Sequence, residues 1–169
     1  MKIGVKNFDL GKRTIIMGIL NLTPDSFSDG GEFNSIENAL RQVEKLIKEG
    51  VDIIDIGGES TRPNHTPVTE EEEIRRVIPI IKAIREKYDI PISIDTYKGK
   101  VAEEAIKAGV NLINDVWGLK KDSYMAKVAG KYNIPCCIMH NREDSNYNDD
   151  IINVMKKDLR QSIDLAIEN

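Results

Sequence analysis

Five short, isoleucine-rich apolar runs, each followed by a longer segment with helical spacing, restrict the fold of this chain more than any other feature. The runs are Thr14–Leu20, Asp52–Ile56, Pro91–Asp95, Leu112–Asn114 and Pro135–Met139, all bounded by turn or polar residues. Between them the spacing predicts helices over Ser35–Glu49, Thr69–Tyr88, Lys98–Ala108, Asp122–Lys131 and Asp149–Glu168. Ala39, Leu40, Val43, Leu46 and Ile47 form one apolar face in the first, with a Ser35–Glu37 start signal and Gly50 as a stop. Four glutamates after Thr69 suit the positive end of the second helix, and Pro79 inside it is a candidate kink. Gly109 marks a C-cap. Ile151, Ile152, Met155, Leu159, Ile163 and Ile167 give the last helix its apolar spacing. The first eleven residues, MKIGVKNFDLG, read as an extra strand or short hairpin.

Strands that alternate with helices build an α/β domain around a parallel sheet, and 169 residues suffice for one domain over 1–169 with its own core. Two architectures remain open: a doubly wound sheet and a (β/α) barrel. Neither a GxGxxG nor a Walker motif follows the first run, which counts against a nucleotide-binding open sheet. The unusual residues gather at the C-terminal ends of the runs, where both architectures place their sites.

Composition removes several function classes. With 40% hydrophobic and 31% charged residues the chain is globular, and a net charge of −4 without a basic stripe offers nothing to nucleic acid. No run is long enough to span a membrane, and the N-terminus has no apolar leader core, so a cytoplasmic location is expected. Cys136 and Cys137 are adjacent, without metal-ligand spacing, and are expected to be buried small hydrophobes.

Three constellations carry possible chemistry. Asp95 ends ISID, where a parallel strand delivers a side chain into a mouth; a carboxylate there accepts two parallel hydrogen bonds from a planar N–C–N edge. Asn114, ending LIN, adds a donor and an acceptor, so the pair can read a 2-amino-4-oxo heterocycle. The competing structural reading has Asp95 capping the next helix and Asn114 satisfying backbone. Asp115 points the opposite way by strand period. The second constellation is GGESTRP, Gly57 to Pro63, in which Thr61 and Arg62 suit a phosphate or carboxylate, against an ordinary polar loop. Asp55 shares the Gly57 face and reads as a buried, hydrogen-bonded carboxylate rather than a ligand. The third is NLTPDSFSDGG, Asn21 to Gly31, eleven residues and too mixed for a turn. Asn21 can place its amide oxygen on a hard cation such as Mg²⁺. Asp25, Ser26, Phe27, Ser28 and Asp29, with glycines after them, suit a water-excluding lid, against a surface loop. Met139 is placed to pack on a flat ring. His140 reads as a structural hydrogen-bonder, His65 as a loop residue, and Trp117 stays unassigned.

MGILNLTPDSFSDGG, DIIDIGGESTRP, ISIDT and LINDV, in this order, resemble the dihydropteroate synthase family over roughly residues 3 to 140. The resemblance implies a (β/α)8 TIM barrel, of which this chain holds about the first five βα units and is C-terminally incomplete. It implies a transferase of folate biosynthesis. Such an enzyme condenses 4-aminobenzoate with 7,8-dihydropterin-6-ylmethyl diphosphate to dihydropteroate and diphosphate, uses Mg²⁺ and is a sulfonamide target. Carried across, Asn21 is the Mg²⁺ ligand. Asp95, Asn114 and Met139 belong to the pterin pocket, and Thr61 and Arg62 to the diphosphate. Asp25, Ser26, Phe27 and Pro63 sit on the loops that close over the site. The family's further pterin-binding Asp, its Ser-Arg-Lys-like Lys and its Arg-x-His segment have no counterpart here. The expectation is therefore an N-terminal portion that self-associates or forms a homo-oligomer. The alternatives are an inactive fragment that retains partial pterin and diphosphate binding, or a related pterin-binding methyltransferase.

Overall fold

The computed structural model describes residues 1–22, 31–60, 66–143, 146, 147 and 149–169, those of 31–34 by backbone alone. An antiparallel hairpin, β1 (Lys2–Ile3) and β2 (Lys6–Asn7), precedes five βα units. The units are β3 (Met17–Asn21) with α1 (Gly31–Lys48), β4 (Ile53–Gly57) with α2 (Glu70–Lys87), and β5 (Ile92–Asp95) with α3 (Gly99–Ala108). They continue with β6 (Leu112–Asp115) and α4 (Ser123–Tyr132), then β7 (Cys136–Ile138) and α5 (Ile151–Glu168). All elements expected from the sequence are present, with ends displaced. Helix α1 starts four residues before Ser35, so the Ser35 signal marks an interior position. Thr69, Asp122 and Asp150 are N-caps, each accepting from a backbone N–H two or three residues on, and Lys98 is the residue before α3. Helix α2 runs continuously through Pro79.

Strand order decides between the two architectures. The five strands lie in the order β3-β4-β5-β6-β7, each parallel to its neighbour. A doubly wound sheet reverses direction at a switch point. A sheet that grows in one direction puts every crossover helix on one side, the arrangement of a (β/α) barrel.

The two faces differ accordingly. On the helix side Leu20, Ile54, Ile56, Ile92, Ile94 and Ile113 pack against Val77, Ile81, Val101, Ala105 and Met125, all buried. At about 25 cal/mol per Å² of apolar surface this layer is the main source of stability. The inner face holds Met17, Ile19, Asn21, Asp55, Gly57, Ser93, Asp95, Leu112, Asn114 and Cys137, by strand alternation. Ile3 and Phe8 of the hairpin region cover its lower end with Ile53 and Leu112, so β1–β2 acts as a plug at the strands' N-terminal ends. Above that plug no described element covers the inner face, and Ile19 is 63% exposed.

The cysteines depart from expectation. Cys136 is half-buried on the helix side, but Cys137 is exposed, because the next residue of a strand points to the opposite, open face. In α5, Ile151, Ile152, Ile163 and Ile167 are exposed, and Ser162 is its buried residue.

Candidate active site

Backbone register places Asn21, Gly57, Asp95, Asn114 and Cys137 side by side across the C-terminal ends of the five strands. Gly57 keeps the middle of this row low. A Cβ at Gly57 would lie 3.4 Å from Oδ1 of Asn21 and 3.7 Å from Oδ2 of Asp95, so the amide and the carboxylate converge over bare backbone.

Asp95 does not cap the following helix. Its Oδ1 is buried and has no hydrogen-bond partner among the described residues. Burial first, then the Asp55, Glu73 and Asp115 carboxylates, push its carboxyl up to about 7. A partly buried carboxyl with an unfilled acceptor is a binding group waiting for a donor. Asn114 does not serve backbone either. Its Nδ2 donates to Oδ2 of Asp55 at 3.0 Å, which leaves the amide oxygen as an acceptor at the mouth. Burial pushes the Asp55 carboxyl up, and the Asn114 hydrogen bond opposes that. Asp55 is thus an orienting carboxylate beneath the row, as its strand position implies.

At the described ends of the connection after β4, Gly58, Glu59 and Val68 are held by contacts that the sequence, which offered Glu59 only as a charge in GGESTRP, did not foretell. Arg76 donates from Nη1 to the Gly58 carbonyl at 2.9 Å. Glu59 accepts from Lys98 Nζ, from the Tyr97 hydroxyl and from the Val68 N–H. Lys98 also bonds buried Glu73. A lysine three residues after Asp95 and a glutamate two after Gly57 were the available signal, but only packing brings them together.

Asp115 points to the helix side, as strand period requires. Its two oxygens accept from the backbone N–H groups of Trp117 at 2.8 Å and Leu119 at 2.7 Å, which holds the turn after β6. The Lys121 ammonium lies 4.5 Å from the Trp117 ring centre. His140 is structural: its Nε2 is 3.1 Å from Asp158 Oδ2 on α5. Met139 follows β7 and is half-exposed. Asp25, Ser26, Phe27, Ser28 and Asp29 of the first expected loop, and Thr61, Arg62, Pro63 and His65 of the second, lie outside the described residues. Among the described residues no cluster of three His, Cys, Asp or Glu side chains could hold a metal ion.

Comparison with known proteins matches residues 17–169 to the model of the pterin binding enzyme family. The chain belongs to the pterin-binding enzyme family. Within that family it is 63% identical over 169 residues to the dihydropteroate synthase of Clostridium beijerinckii, covering 98% of this chain and 61% of that protein. It is 52% identical to the Bacillus subtilis dihydropteroate synthase over 93% of this chain and 55% of that protein. A crystal structure of Clostridium difficile dihydropteroate synthase in the presence of pteroic acid superposes with a TM-score of 0.93 at 57% identity. That match covers 96% of this chain and 62% of the other. A Yersinia pestis dihydropteroate synthase in complex with a sulfonamide drug gives 0.86 at 37% identity, over 99% and 62%. The chain therefore spans about three fifths of the length of these relatives. Its five units are the first βα units of the barrel of this pterin-binding family, and the open inner face is the barrel interior. No helix among the described residues is long and apolar enough to cross a membrane.

Proposed function

We propose that this chain carries the pterin and diphosphate end of a dihydropteroate synthase site. The reaction joins 4-aminobenzoate to 7,8-dihydropterin-6-ylmethyl diphosphate and gives dihydropteroate and diphosphate. The observation that carries this reading is the Asp95–Asn114 pair: adjacent in register, at the mouth, with a buried Asp95 oxygen lacking a donor. The names of the relatives and the pteroic acid in the Clostridium difficile structure point the same way.

Asp95 accepts the two N–H groups of the pterin's amino-pyrimidine edge, and the Asn114 amide oxygen, oriented by Asp55, accepts at the neighbouring ring position. Met139 packs against the ring. Thr61 and Arg62 bind the diphosphate, where a bidentate guanidinium meets developing anionic oxygens. The methylene C–O bond breaks with its electron pair on the diphosphate. The aniline nitrogen forms the new C–N bond and releases a proton to solvent. The loops with Asp25, Ser26, Phe27 and Pro63 cover the amine and exclude water, which would otherwise compete as nucleophile.

Magnesium fits this arrangement through Asn21 alone. The Asn21 amide oxygen, beside bare Gly57, is the described group that would hold it. A bound Mg²⁺ would supply positive charge to the diphosphate as it departs. The reading places the reaction in the cytoplasm, because a diphosphate ester does not cross a bilayer unaided.

A second reading is a binding piece without turnover, favoured by the exposure of Ile19 on the inner face. Pyrophosphate release by the purified chain, with Mg²⁺ and the pterin diphosphate, with and without 4-aminobenzoate, separates the two. Amine-dependent release supports the synthase, and its absence, where a full-length relative works, leaves binding alone.

A further inference from the structure

The turn after β6 holds a strained pair. Gly118 and Leu119 are successive left-handed residues, with φ of 61° and 65°. Glycine takes that conformation freely, but a leucine takes it only under constraint. Asn133, the other left-handed residue with a side chain among the described residues, is the C-cap of α4. Leu119 ends no helix. It is buried, and the Asp115 side chain that accepts its N–H and that of Trp117 keeps it in place. Backbone strain held by its surroundings gathers where a binding geometry has to be fixed.

Gly118 shows what this turn reaches. A Cβ there would lie 2.7 Å from Oγ of Ser162 on α5 and 3.1 Å from the Met139 carbonyl oxygen. The turn's backbone is thus pressed against the residue that leaves β7 and against the buried serine of α5. Met139 needs such a hold. The β6–β7 register ends at Asp115–Ile138, so Met139 lies beyond the ladder, with its side chain 48% exposed. The next residue, His140, is fixed by Asp158 of α5, and the Asp158 carbonyl accepts from Ser162 Oγ at 3.3 Å. Asp158 and Ser162 are one helical turn apart and share a face. That face and the Gly118 turn bracket the Met139 backbone from two elements.

We propose that Gly118 and Ser162 are positioning residues that hold Met139 where its side chain meets the planar heterocycle on Asp95 and Asn114. This rests on the site reading above. Gly118 follows Asn114 by four residues, and Asp115 ties the segment between them. The group that grips the ring's edge and the buttress for the group that packs on the ring therefore belong to one rigid turn.

The test is a double-mutant cycle on the 169-residue chain, read by titration calorimetry with 6-hydroxymethyl-7,8-dihydropterin. Gly118→Ala pushes the Met139 carbonyl and Ser162 away and lowers the pterin's affinity about tenfold. In a Met139→Ala background the same change costs less than about twofold, because the contact it disturbs is already gone. A merely structural role lowers affinity by the same factor in both backgrounds. An equal fall in both, or no fall in the wild-type background, overturns the positioning role, and the site reading stands as long as Asp95→Asn abolishes binding. A wild-type chain that does not bind the pterin overturns both. Should Gly118→Ala fail to fold by far-UV circular dichroism, Ser162→Ala takes its place in the cycle. A fall of about threefold confined to the Met139 background supports the role, and no fall, or an equal fall in both backgrounds, overturns it.

Discussion

Asn114 on β6 donates to Asp55 on β4 across 3.0 Å, over the top of the intervening strand β5 that carries Asp95. The contact fixes which way the Asn114 amide faces, so the acceptor presented at the mouth is set by a residue one layer below. Asp55→Ala releases that amide to rotate. Pterin affinity is then expected to fall roughly 10-fold, the value of one charge-assisted hydrogen bond, with the fold retained. Calorimetry with a pterin reads this, and unchanged affinity would detach Asp55 from the site.

Asp95 has the larger effect. Replacing it with Asn removes the acceptor of two N–H groups, and the loss is expected to exceed about 2 kcal/mol, near or below detection for a small heterocycle. The wild-type pH profile is expected to carry a matching signature. The Asp95 carboxyl sits near 7, above its unfolded value. Its contribution to folding is therefore present at low pH and is lost as pH rises through about 7. A ligand that donates to the ionised form works against that cost. Pterin affinity should thus decline as pH falls below about 7, by up to about tenfold per unit. A flat profile in the wild type would contradict the assignment.

Gly58 has no room for a side chain. An added Cβ would sit 2.8 Å from Cγ of Glu73 and 2.8 Å from Cγ1 of Val77, and Glu73 is held by Lys98. Gly58→Ala is expected to destabilise the fold by roughly 1–3 kcal/mol. Thermal unfolding should show a fall of several degrees in Tm.

Ile19 and Cys137 lie on a face that the described strands leave uncovered, and β3 and β7 are its edges. Edge strands and apolar patches of this kind associate. The 169-residue chain is expected to self-associate at tens of micromolar. Light scattering that finds only monomer would rule this out.

Much of this was legible in the residues alone. Alternation of Ile-rich runs with amphipathic segments specified all five βα units, because the hydrophobic period is a local property of each element. The same period put Asp95, Asn114 and Gly57 on one face and Asp115 on the other. Ser35 misled because a single capping signal fixes a helix boundary only weakly, and α1 begins at Gly31. Cys137 misled because an apolar strand was read as buried on both sides. What only the tertiary structure decided is who meets whom. The one-directional strand order, the Asp55–Asn114 bond and the joining of Glu59 to Lys98 and Val68 are pairings distant in sequence. They arise from register and packing between elements, and no local pattern of charge or hydropathy encodes them.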